Sequence, residues 1–131
     1  MKMSKAVYDT RFFVEHYYST DPTTPQKIRA CVRKTKERFI SAIVIHEIYQ
    51  LILTKEGRET AILRTTVLEK DYNVIAVDAK IARQSAEIRR KYRISMADSI
   101  IAATALSLKA ACISDDPHFK AVTEIKTEWI N

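Results

Sequence analysis

Short apolar runs alternate with longer amphipathic stretches along the chain, and that alternation sets the expected elements. Ala6-Val7-Tyr8, bounded by Asp9, reads as a short buried strand. From Thr10 the apolar positions Phe12, Phe13 and Tyr17 take helical spacing. Asp21-Pro22-Thr23-Thr24-Pro25 reads as a loop, with Thr23 or Thr24 placed to cap a helix over 25–36. Phe39-Ile40 predicts a second strand ending at Ser41, then a helix from Ala42 to Thr54 and a break at Gly57. Ala61 to Tyr72 predicts a further helix and Asn73 to Val77 a third strand, after which Asp78 caps a helix from Ala79 to Tyr92. Ser95 opens a helix through Leu108 whose stretch 100–106 is apolar nearly all round, the mark of a buried helix. A fourth strand is expected over Ala111 to Ser114 and an edge strand over Ile125 to Trp129.

Strands alternating with long helices predict an α/β fold, a three-layer α/β/α sandwich around a mostly parallel sheet. The order of the strands does not follow from the pattern. No linker, repeat or low-complexity tract interrupts it, and 131 residues are expected to form one domain, 1–131.

Composition narrows the function. With 47% hydrophobic and 29% charged residues the chain is ordinary globular sequence, not a disordered or disulfide-scaffolded one. Gly57 is the only glycine, so neither a Walker loop nor a GxGxxG fingerprint exists here. A net charge of +6 and a pI near 9.4 favour polyanions, RNA or DNA ahead of an acidic membrane surface. Charge alone serves equally for a solvated surface. Cys31 and Cys112 are far apart, and Cys112 sits in an apolar run as a small hydrophobe. With no CxxC, no signal-peptide pattern at the start and no apolar run of membrane-spanning length, the expected setting is the cytoplasm.

Four acids stand in unusual surroundings. Asp9 ends the first strand and Asp116 follows the fourth, and in an open parallel sheet ligands collect beyond the carboxyl ends of strands. Glu47 shares a helix stripe with Ile43 and Leu51, where an unpaired charge is expensive. Asp98 lies in the first turn of the buried helix. Each has a plainer reading as well. Asp9 and Asp116 suit turns, Ser95-x-x-Asp98 suits a helix cap, and Glu47 suits a lysine partner. Together they make a set of hard oxygen donors of the kind that binds Mg²⁺ or Mn²⁺. Without a cation, two carboxylates about 4 Å apart repel by about 4 kcal/mol at an effective dielectric near 20.

At these residues the sequence resembles a PIN domain, most closely the single-domain VapC-type ribonuclease toxins. The matching pieces are Val7-Tyr8-Asp9-Thr10, Ser41 followed six positions later by Glu47, Asp98-Ser-Ile-Ile-Ala-Ala-Thr-Ala105, and Ser114-x-Asp116-x-x-Phe119. They run in order across residues 6–120. The resemblance implies an α/β/α sandwich and a divalent-metal-dependent endoribonuclease using Mg²⁺ or Mn²⁺. Its acids map onto Asp9, Glu47, Asp98 and Asp116, supported by Thr10, Ser41 and Ser114. It also implies a homodimer and a small antitoxin that holds the toxin inactive. Serine stands at 114 where threonine is frequent, and the doublet Asp115-Asp116 leaves the fourth ligand open between two neighbours. Residues 57–72 match nothing distinctive.

In this reading Asp9, Asp98 and Asp116 hold metal, Glu47 binds through water or orients the nucleophile, and Arg11 is placed for phosphate or an antitoxin carboxylate. His46-Glu47 begins like a zincin helix, but Gln50 stands where the second histidine belongs. His118 reads as a surface histidine, with substrate contact the alternative. Two basic runs, Arg29 to Arg38 and Arg83 to Arg93, are candidates for the RNA backbone or simply solvated helix faces. Two other functions fit the same residues. One is a nucleic-acid-binding or assembly module with little catalysis. The other is a metal nuclease in DNA or RNA processing without an antitoxin.

Overall fold

The computed structural model describes residues 3–131. Its elements run β1 (Met3–Tyr8), α1 (Thr10–Tyr18), α2 (Thr24–Lys34), β2 (Thr35–Ser41), α3 (Ala42–Glu56), α4 (Arg58–Asp71), β3 (Asn73–Ile75), α5 (Ala79–Tyr92), α6 (Met96–Leu108), β4 (Ala111–Ile113), α7 (Pro117–Ala121) and β5 (Thr127–Glu128). The five strands are parallel throughout, in the order β3-β2-β1-β4-β5. Helices on both faces complete a three-layer α/β/α sandwich. Among the described residues no helix is long and apolar enough to cross a membrane.

The strand order matters for function. From β1 the chain winds outward through β2 to β3, then returns past β1 to β4 and β5. The winding therefore reverses between β1 and β4, and in open α/β sheets that reversal opens the crevice in which ligands bind. Val7 pairs across it with Cys112, and Tyr8 with Ile113. Asp9 and Ser114 follow directly at the crevice rim.

Burial explains the rigidity of that rim. Ala6, Val7 and Tyr8 of β1 are wholly buried, as are Ile101, Ala102 and Ala103 of α6. The Tyr8 ring meets Phe12 edge-on at 4.7 Å and Tyr72 at 5.2 Å, and its hydroxyl lies 2.6 Å from Thr35 Oγ1. Such aromatic pairs add about 0.5–1.5 kcal/mol each beyond their buried area. They lock the start of α1 against β1.

The caps expected from Asp78 and Ser95 form, and Ser41 adds a third. Ser41 Oγ accepts the Ile43 N–H of α3, Asp78 accepts the Ile81 N–H of α5, and Ser95 accepts the Asp98 N–H of α6. Gly57 joins α3 to α4 at φ 95°, ψ 177°, backbone that side-chain-bearing residues avoid. Helix α2 begins differently. Thr23 is its N-cap residue but makes no capping bond, because its hydroxyl donates to Asp21 Oδ1 at 2.8 Å. Several strand boundaries also depart from the pattern. Strand β2 starts at Thr35, four residues before the expected Phe39, with its first half carrying Lys36, Glu37 and Arg38. Strand β3 ends at Ile75, and β5 covers only Thr127–Glu128.

Candidate active site

Two hydroxyls organise the crevice. Ser114, buried just past β4, donates its Oγ–H to Asp9 Oδ2 at 2.6 Å and accepts the Asp116 N–H at 3.0 Å. Thr10 donates its backbone N–H to Asp9 Oδ1 at 2.7 Å and its Oγ1–H to Glu47 Oε1 at 2.6 Å. One hydrogen-bonded line therefore runs from Glu47 on α3, through Thr10 and Asp9, to Ser114 and Asp116. It spans three elements far apart in sequence.

Asp9 pays most heavily for this position. It is 2% exposed, and burial is the main cause that pushes its carboxyl up to about 7 from the usual 3.8. The Ser114 hydroxyl opposes the rise, the Asp98 charge adds to it, the Thr10 N–H opposes it, and the Glu47 charge adds again. Asp98 is raised in the same way, by burial first and then by Asp116. Four carboxylates thus feel one another in one place.

Asp98 and Asp116 face each other from α6 and α7, with 19% and 23% of their side chains exposed. Between them stands His118. Its Nδ1 lies 2.9 Å from Asp116 Oδ1 and 3.8 Å from Asp98 Oδ2. One donor atom from each of these three residues lies within 4.8 Å of the others. No lysine or arginine pairs with Asp98 or Asp116 among the described residues.

The doublet separates cleanly. Asp116 turns inward and caps α7 by accepting the His118 N–H at 2.9 Å. Asp115 turns outward to Arg11, whose Nε and Nη2 donate to its two oxygens at 2.9 and 3.2 Å. Arg11 is therefore already held at the rim by a carboxylate. Ser41 lies apart, buried at the end of β2, with the cap on α3 as its role. The residue that the sequence pattern left outside the cluster is His118. Its signal is the Asp-Pro-His spacing, which a one-turn cap folds back onto its own aspartate.

Three cavities of about 660–840 Å³ among the described residues are lined without these acids. One cavity of about 840 Å³ opens beside the starts of β1 and β4 and is lined by Lys5, Lys27, Lys34, Lys109 and Lys126. The carboxylates stand at the opposite ends of the same strands, in an open crevice.

Comparison with known proteins adds a family. The sequence model of the PIN domain matches residues 6–125. No curated protein matches the sequence closely enough to count as a relative. Among solved structures, the fold is similar to VapBC-1 from nontypeable Haemophilus influenzae, with a TM-score of 0.80 at 19% identity, covering 96% of this chain and 98% of that one. It is similar to VapBC2 from Rickettsia felis bound to a DNA fragment from their promoter, with a TM-score of 0.77 at 17% identity over 95% and 98%. It is also similar to Mycobacterium tuberculosis VapC20, described as a sarcin-ricin loop cleaving toxin, with a TM-score of 0.73 at 19% identity over 92% and 98%.

Proposed function

Because the chain belongs to the PIN domain family, we propose that it is a divalent-metal-dependent endoribonuclease and the toxin of a type II toxin–antitoxin pair. The observation that carries this reading is the convergence of Asp9, Glu47, Asp98 and Asp116 on one crevice where the sheet reverses. The donor set fits Mg²⁺ or Mn²⁺, because it offers carboxylate oxygens without a paired lysine or arginine. Asp9 supports the fit: a carboxyl raised to about 7 at a crevice rim is a site whose charge awaits compensation.

Asp9, Asp98 and Asp116 would hold the cation, with Glu47 reaching it through water. A bound divalent ion would supply a water of lowered pKa and charge neutralisation at the scissile phosphate. The chain's own residues set the geometry. Ser114 and Thr10 fix both oxygens of Asp9, so its carboxylate cannot rotate away. Thr10 also aims Glu47 at the same space, where it can orient the attacking water. Arg11, half-exposed at the rim, exchanges Asp115 for a phosphate of the substrate.

Solved relatives support both the substrate and the partner. One is described as a sarcin-ricin loop cleaving toxin, and another, from Klebsiella pneumoniae, as a toxin–antitoxin complex. A groove of about 660 Å³ between α1, α2 and α4 suits such a partner. Phe13, Val32, Leu63 and Val67 line it and Arg29, Arg33 and Arg38 rim it, with Leu63 64% exposed. An amphipathic helix with acidic flanks matches that surface.

The test is cleavage of a mixed tRNA and rRNA pool with Mg²⁺ or Mn²⁺, comparing wild type with Asp9→Asn and with EDTA. Cuts at discrete positions that vanish in the variant and in EDTA are the expected result. Equal behaviour of wild type and variant, with RNA still bound, would leave a nucleic-acid-binding module instead.

A further inference from the structure

His118 has a place in the crevice that neither the acids nor the substrate reading explains. It is the second residue of α7, and Asp116 pins its backbone by accepting its N–H. The ring is thereby held on the same side as the two carboxylates. Its Nδ1 is 2.9 Å from Asp116 Oδ1 and 3.8 Å from Asp98 Oδ2, and the three donors come from two helices of different origin in the chain. Cis ligands of an octahedral ion at about 2.1 Å stand about 3 Å apart, which is the His118–Asp116 separation, and Asp98 lies within closing distance of both. Arg11 pairs with Asp115 rather than with Asp98 or Asp116. Histidine is then the only basic side chain that meets Asp98 and Asp116 among the described residues.

We propose that the His118 imidazole is a nitrogen donor to the cation held between Asp98 and Asp116, and that it makes the site prefer Mn²⁺ to Mg²⁺. Carboxylate and water oxygens serve Mg²⁺ and Mn²⁺ alike, whereas an imidazole nitrogen adds affinity for a transition metal and little for Mg²⁺. The inference rests on the metal-dependent reading of the crevice. It assigns to a residue 63% exposed a role in choosing the ion rather than in touching RNA.

Calorimetric titration of Mn²⁺ alone and Mg²⁺ alone into wild type, His118→Ala and Asp98→Asn tests it, with pulsed electron paramagnetic resonance on the Mn²⁺ samples. The expected result for His118→Ala is a loss of about tenfold or more in Mn²⁺ affinity, with Mg²⁺ affinity within about twofold of wild type. A ¹⁴N coupling to Mn²⁺ should be present in wild type and absent in this variant. Equal losses for both ions without a ¹⁴N coupling would overturn the proposal, because His118 would then only steady Asp116. Unchanged Mn²⁺ binding in His118→Ala, beside a clear loss in Asp98→Asn, would overturn it and leave the metal site standing. If Asp98→Asn also binds both ions like wild type, the metal-dependent reading itself fails and takes the inference with it.

Discussion

Asp9 serves two masters, since it caps α1 through the Thr10 N–H and also presents a carboxylate to the crevice. The cost is visible in its carboxyl, raised by burial to about 7. Between pH 4 and pH 7 the folded state then holds a proton that the unfolded chain has lost. Stability from this group is complete below the unfolded value of 3.8 and is lost as pH rises through about 7. Asp98, raised as well, acts in the same sense. The metal-free protein should therefore melt at a lower temperature at pH 8 than at pH 5, with Asp9 alone costing about 3 kcal/mol of stability over that range. Thermal melts in a chelator across that range should show the slope, and Asp9→Asn should flatten most of it. Asp98→Asn should raise the melting temperature of metal-free protein by easing repulsion with Asp116, while blunting stabilisation by Mn²⁺. A purely capping Asp98 would give a neutral or lower melting temperature and an undiminished Mn²⁺ effect. Ser95 already does the capping, through the Asp98 N–H, so the carboxylate is free to face Asp116. These four acids were legible because each broke a local pattern: a charge on an apolar stripe, or at the end of a buried strand. The bridging of Asp9 and Asp116 by Ser114 was not, since it depends on the register of β4 beside β1.

Among the elements, the helices with chemical stop and start signals were readable and the strands without them were not. Asp78, Ser95 and Gly57 mark their boundaries by mechanism, through side-chain acceptors and a positive φ. Strand β2 escapes notice over Thr35–Arg38 because α2 passes into it with no proline or glycine between, and because charged residues occupy its first half. Helix α7 is five residues long, too short for any periodicity to show, yet it brings His118 to the crevice. Helices α5 and α6 end on Arg93 and Lys109 at φ 55° and 53°, left-handed positions where glycine is the usual residue. Each costs about 1–2 kcal/mol of backbone strain, against which glycine would forfeit about 0.4–1 kcal/mol in the unfolded chain. Lys109→Gly should accordingly stabilise the protein by about 0.5–1 kcal/mol, read as a higher denaturant midpoint at unchanged slope.

Across the whole molecule, 22 basic residues outnumber 16 acidic ones, yet the crevice is a local excess of negative charge. If the substrate is RNA, as proposed, the general field must still lead it to that crevice, and the two basic runs differ in how they could do so. Lys34 lines the cavity beside the strand starts, while Arg29, Arg33 and Arg38 rim the groove offered to a partner helix. Arg89, Arg90 and Arg93 instead share a groove with Met96 and Ser99, at the start of α6, the helix that also carries Asp98. On the ribonuclease reading, that run is the better candidate for leading RNA toward α6. Arg89→Glu with Arg90→Glu should weaken RNA binding by about tenfold or more at low salt. It should also reduce the log–log salt slope by about 1.4, the share of two single-strand phosphate contacts. Lys34→Glu with Lys36→Glu removes the same charge from elsewhere and should change the affinity far less. Fluorescence anisotropy across a salt series separates the two. Equal effects from both pairs would mean that net charge alone attracts the RNA, and that the α5–α6 groove gives it no particular path to Asp98.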